Sequence, residues 1–168
     1  MDSIKEALIA EVERRIVEES IPRIIQCMGY LTNEEVWYQV NKNCNSIGVL
    51  VLHLCGNVRQ WVLSGACGLA DHRDRDKEFS PQLKPTIREL EQELQSLAAD
   101  LKTHLPRIVS SQIFEIKPIQ CYEETVFTMI IHAIEHFSYH TGQIVYITKS
   151  LRDIDTAFYA GQDLTAKG

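Results

Sequence analysis

The sequence predicts an all-α protein folded as a four-helix bundle. Three observations carry that expectation. Four segments place apolar residues at the three-to-four spacing of an amphipathic helix. The connection between the second and third of them is about twenty residues long, far beyond a helix-to-helix turn. The fourth segment holds His132, His136 and His140 at i, i+4 and i+8, so their imidazoles share one helix face.

The first helix is expected from Asp2 to about Leu31, with Ile4, Leu8, Val12 and Ile16 on its apolar stripe. Pro22 lies inside it and removes a backbone donor, so either the helix kinks there or a new one starts with Pro22 in its first turn. Gly29 and the run Leu31 to Glu35 then read as a helix end followed by a capped turn leading to Trp37 and Tyr38.

The polar stretch Asn41 to Ser46 supplies cap-forming residues just before the apolar run Ile47 to Leu54. Asn45 or Ser46 is expected to cap a second helix reaching about Ser64. His53 falls near its middle, and Asn57 and Trp61 follow at steps of four on nearly the same face. Gly56 is read as a point of close helix packing. From Gly65 to about Lys84 the periodicity stops, in a charge-rich stretch from Asp71 to Glu78 that ends Phe79-Ser80-Pro81. A crossover along the bundle suits such a length, and it would make the second and third helices run in the same direction.

The third helix is expected from about Pro85 to Leu105, with Ile87, Leu90, Leu94, Leu97 and Leu101 on one stripe and Pro106 closing it. Ile108 to Cys121 has no helical period and reads as a short hairpin or an extended link. The fourth helix is expected from about Tyr122 to Leu151. At 100° per residue, His132 and His140 lie about 40° either side of His136, with Met129, Gln143 and Ile147 close by. Phe127, Ile131, Ile134 and Val145 form a second apolar stripe, to be covered by the non-helical segments or by another subunit.

The 168 residues, 45% of them apolar, suit one core, and residues 1–168 are expected to form a single domain. A net charge of -6 argues against binding nucleic acid or an anionic membrane surface. No apolar run approaches the roughly 18 residues of a membrane span, and the first residues are charged rather than built like a signal peptide. The five cysteines, Cys27, Cys44, Cys55, Cys67 and Cys121, are scattered without a CxxC pair, as expected of thiols in the cytoplasm.

Neutral imidazole is a common ligand for zinc, nickel and iron, and three such ligands leave positions open for water or substrate. A lone histidine on an apolar face is ordinarily a packed residue with satisfied nitrogens, but several buried in register without a shared role would be costly. An HxxxH pair on one helix with a histidine from a facing helix, for which His53 is the candidate, supplies a rigid metal site. Its three neutral ligands would leave the cation its full charge, which favours activating a thiol or water. The string His132-x-x-Glu135-His136 also matches a metalloprotease pattern. The all-helical pattern and the short remaining chain argue against that reading.

The residues Asn45-Ser46-Ile47-Gly48, His53-Leu54-x-Gly56-Asn57-x-Arg59-x-Trp61, Arg73-x-Arg75-Asp76-x-Glu78-Phe79 and Glu135-His136-x-x-x-His140-x-Gly142-Gln143 together resemble the DinB/YfiT-like metalloproteins. That resemblance covers nearly the whole chain. It implies an up-down-down-up bundle with the long crossover between helices two and three, and a divalent cation such as zinc, nickel or iron held by His53, His136 and His140. It further implies a metal-dependent S-transferase or related hydrolase that joins a low-molecular-weight thiol, such as bacillithiol or mycothiol, to a small electrophile, and a homodimer. The alternative is a metal-binding stress-response or interaction module without catalysis. His132 is additional to the triad and is expected to be packed or one layer behind the metal. Gln143 and Asn57, with Tyr139 less so, are expected to support a ligand or bound water. The Arg73 to Phe79 loop is read mainly as structural, and no cysteine stands out as a nucleophile.

Overall fold

A computed structural model of the chain describes residues 2–80 and 84–167; Pro81, read from sequence as closing the crossover, lies outside them. The architecture is the expected all-α bundle, with one two-stranded hairpin added. The first bundle helix is continuous over residues 2–29, and its middle, Glu13–Ser20, is wound as a π-helix. There the Ile21 N–H donates to Ile16, five residues back. The widened turns directly precede Pro22, whose ring would crowd the carbonyl four residues earlier in a regular α-helix. The proline is thus accommodated without a break. Thr32 then caps the short helix Asn33–Val36 in a reciprocal box, with Glu35 N–H donating to Thr32 Oγ1 at 3.3 Å and Thr32 N–H to Glu35 Oε2 at 2.8 Å.

The second bundle helix is Ile47–Ala66, with the Ser46 hydroxyl accepting from Val49 N–H at its start. It runs two residues past the expected end and closes on Gly68, whose φ of 79° is open to glycine. Gly68 N–H returns to Ser64 O and Leu69 N–H to Leu63 O, which satisfies the last carbonyls. By length and composition this helix could cross a bilayer, contrary to the reading that no apolar run approaches that length. It is 72% buried, so its apolarity is that of a core helix enclosed by its neighbours.

The third bundle helix, Ile87–His104, opens with a second capping box between Thr86 and Glu89. Its Leu90, Leu94, Leu97 and Leu101 are fully buried, as the stripe predicts. Next comes a hairpin of Ile116–Ile119 against Tyr122–Thr125. The fourth bundle helix therefore begins at Val126, four residues later than expected, and reaches Arg152. Tyr122 to Thr125 pair in the hairpin, and the Thr125 hydroxyl accepts from Thr128 N–H as the helix cap. On the outer stripe, Phe127 stacks on Phe114 at 5.8 Å and donates its N–H to Ile113 O, so the non-helical link covers that end.

Named contacts fix the directions. Trp61 meets His132 while His53 meets His136 and His140, so helices two and four are antiparallel. Trp37 links the starts of helices two and three, packing on Gly48 and donating its indole N–H to Pro85 O at 3.0 Å. Farther along, Arg59 pairs with Glu93, which makes these two helices parallel. Arg15, Glu19 and Arg23 share a cavity with Ser138, Thr141, Val145 and Lys149, while Tyr30 O accepts from Arg152, so helices one and four are parallel. This is the up-down-down-up order.

Candidate metal centre

His53 arises from the buried face of helix two, and His136 and His140 arise one turn apart on helix four. Because the helices are antiparallel and in contact, one face of each aims at the same point between them. One ligand-capable atom from each of His53, His136 and His140 lies within 4.8 Å of the others. The ring centroids are 4.9 Å apart for His53 and His136, 5.3 Å for His53 and His140, and 4.5 Å for His136 and His140.

Outer contacts orient two of the rings. His53 Nδ1 is 2.9 Å from Glu78 Oε2, and His140 Nδ1 is 2.7 Å from Gln143 Oε1. With the proton on Nδ1 of each ring, donated to that acceptor, the Nε2 lone pair is the one left for a cation, although Arg73 Nη2 also stands 3.2 Å from His53 Nδ1. His53 Nε2 approaches His136 Nε2 at 3.1 Å. Three imidazole nitrogens converging without a carboxylate among them form a donor set suited to a divalent transition metal, and the group could hold such an ion.

The electrostatics agree. Burial, with the adjoining His140, His53, His132 and Arg73, pushes the His136 pKa down to about 3. Burial likewise lowers His140, against its hydrogen bond to Gln143, which acts the other way. Both rings are therefore neutral at physiological pH, the state a metal ligand requires. Burial tends to raise the Glu78 carboxyl, but hydrogen bonds from Arg73 and His53 outweigh it and hold the pKa below the usual range.

The crossover contributes more than its sequence suggested. Asp74 caps a short helix, Arg75–Phe79, which turns Glu78 inward to 7% exposure and lays Phe79 4.9 Å from the His53 ring. Arg73 clasps Glu78 through Nε to Oε1 at 2.7 Å and Nη2 to Oε2 at 2.9 Å. Gly56 is a point of close approach as expected, and its neighbour is the short helix Arg75–Phe79. A Cβ there would stand 2.0 Å from Glu78 Oε1, so the missing side chain is the socket for the carboxylate.

The remaining sequence candidates take distinct places. His132 stacks on Trp61 at 3.9 Å, is outside the three-histidine group, and has its pKa lowered by burial. Gln143 binds a histidine nitrogen of the chain itself. Tyr139 sits edge-on to His140 at 4.9 Å. Asn57 is buried at 4% exposure, and its Oδ1, like His136 Nδ1, has no partner among the described residues. Burial pushes the Cys55 thiol up to about 12 and Cys67 to about 11, so neither supplies a thiolate.

A family model described as "Protein of unknown function (DUF1572)" matches residues 7–159. Among solved structures, a DinB-like protein from Bacillus cereus ATCC 10987 superposes with a TM-score of 0.63 at 11% identity, over 80% of this chain and 87% of that one. No curated protein matches the chain. The bundle order, the crossover and the histidine group thus meet a family match over most of the sequence: the chain belongs to the DUF1572 family and has the DinB-like fold.

Proposed function

We propose that this protein is a divalent-metal-dependent enzyme of the cytoplasm that transfers a low-molecular-weight thiol to a small electrophile, or hydrolyses a related substrate. The observation that carries the reading is the convergence of three imidazoles, from His53, His136 and His140, with no acidic side chain in the set. A zinc, nickel or iron ion bound there would keep its positive charge and favour ionisation of a thiol or water. Glu78 and Gln143 fix the imidazole orientations, and the flanking helices make the arrangement rigid. Beside His140, Tyr139 and Gln143 also line a groove of about 630 Å³ with Tyr38, Val40, Leu50 and Tyr146. Among the described residues no Asp, Glu, Lys or Arg lines this groove, so it suits an uncharged, partly apolar molecule. The free cysteines accord with a reducing compartment.

The test begins with metal content. His136→Ala should abolish stoichiometric binding of zinc, nickel or iron, and full retention refutes the ligand assignment. Metal-loaded protein is then incubated with a thiol and monochlorobimane, and loss of free thiol above the metal-free control supports transfer.

The second reading is a metal-binding module without catalysis. Metal-replete protein inert toward several thiols would favour it. A homodimer is also proposed, with Ile131, 42% exposed on the outer stripe, as part of the covered surface; light scattering tests it.

A further inference from the structure

We infer that Arg73 and Glu78 form a metal-linked latch: Glu78 positions His53 for the cation, and cation binding in turn holds the crossover closed against helix two. This inference rests on reading the three histidines as a metal site, and it assigns that site a coupling to a distant part of the chain.

The argument begins with burial. Side-chain exposure is 9% for Glu78 and 3% for Arg73, which is unusual for a charged pair on a long connection. Such a pair persists only where its hydrogen bonds are well met, because breaking it leaves a buried charge. Here they are met, and by His53. One carboxylate oxygen takes Arg73 Nε; the other takes Arg73 Nη2 and faces His53 Nδ1. The crossover thereby ends on a ligand of the candidate centre.

The network then runs outward. Arg73 Nη1 donates to Gln60 Oε1 at 2.9 Å, and Gln60 Nε2 donates to Asp71 Oδ2 at 2.7 Å. Gln120, at the hairpin turn, donates to the same Gln60 oxygen. One chain of hydrogen bonds therefore joins His53 to both ends of the segment from Asp71 to Glu78 and to the tip of the hairpin. Behind the pair lies a cavity of about 440 Å³ lined by Leu52, Cys55, Leu63 and Leu69 as well as by Arg73 and Glu78. Arg73 and Glu78 thus touch His53 and also line that cavity.

Linkage makes the effect reciprocal. If the carboxylate, by accepting the His53 Nδ1 proton, strengthens Nε2 as a ligand, the cation must strengthen Glu78's hold on His53 by the same factor. Gly56 offers a way to disturb the latch while leaving both charges in place, because any side chain at that position displaces the carboxylate.

The experiment measures zinc affinity by chelator competition in the full chain and in Glu78→Gln, Gly56→Ala and Glu93→Gln variants, with circular dichroism to confirm folding. Hydrogen exchange of residues 69–80 is followed with and without zinc. Glu78→Gln and Gly56→Ala should each weaken binding by about ten- to a hundred-fold. Glu93→Gln, which breaks the more exposed pair with Arg59, should bind like the parent. Zinc should slow exchange in the crossover of the parent and lose that effect in Glu78→Gln. If Gly56→Ala does not fold, Glu78→Gln and the exchange measurement decide the matter. Parent-like zinc affinity in the folded variants, or crossover exchange indifferent to zinc, overturns the inference while leaving the metal site standing. A parent protein that takes up no zinc, nickel or iron overturns both.

Discussion

Acid should destabilise the metal-free protein in a way that His136 makes quantitative. Its folded pKa is pushed down to about 3, whereas an unfolded chain takes up the proton near the ordinary imidazole value of 6.5. Because the folded value is the lower one, the contribution is complete above pH 6.5 and is lost as the pH falls from there towards 3. Integrating the proton-uptake difference gives a loss of about 2 kcal/mol between pH 6.5 and 4.5, an upper value because solvent reaches the half-buried ring. His140 and His132 are shifted in the same direction and steepen the slope. The assay is urea unfolding in the presence of EDTA at several pH values, for the parent and for His136→Gln. The difference between the two should shrink by that amount across the interval. A difference independent of pH would refute the assignment of His136 as a neutral buried imidazole.

Gln143→Leu should keep the fold yet weaken zinc binding several-fold in a chelator titration, since His140 Nδ1 loses its 2.7 Å partner. Leu97→Ala, in the fully buried stripe of helix three, should cost about 2–5 kcal/mol in denaturant unfolding. Gly48→Ala should destabilise by about 1–3 kcal/mol, because the added methyl would stand 2.7 Å from the Trp37 ring. Ser46→Ala removes the hydroxyl that caps helix two and should cost about 0.5–2 kcal/mol by thermal melting.

The parts legible in the sequence were those governed by short-range spacing. The leucine stripe of helix three and the one-turn step from His136 to His140 follow directly from helical periodicity, and the approach of His53 follows from packing two such faces. The start of helix four was misplaced because Tyr122 to Thr125 are compatible with either structure, and only pairing with Ile116 to Ile119 decides for the strand. Thr125, a good cap residue, was the available clue. The partnership of Glu78 with His53 was not legible. Twenty-five positions separate them, the crossover has no period, and a charge-rich segment gives no indication of which carboxylate turns inward. Gly56 held a hint, but a glycine reports that something comes close without saying what.

The tryptophans place two dyes at opposite addresses. Trp37 sits where the starts of helices two and three meet, bonded to Pro85. Trp61 lies against His132, whose ring is 5.5 Å from that of His136. With Trp37 replaced by phenylalanine, the emission of the intact protein would come from an indole separated by one imidazole from the three-histidine group. Loading, acidification and release of a cation should then be readable as changes in colour and brightness, continuously and without an attached label.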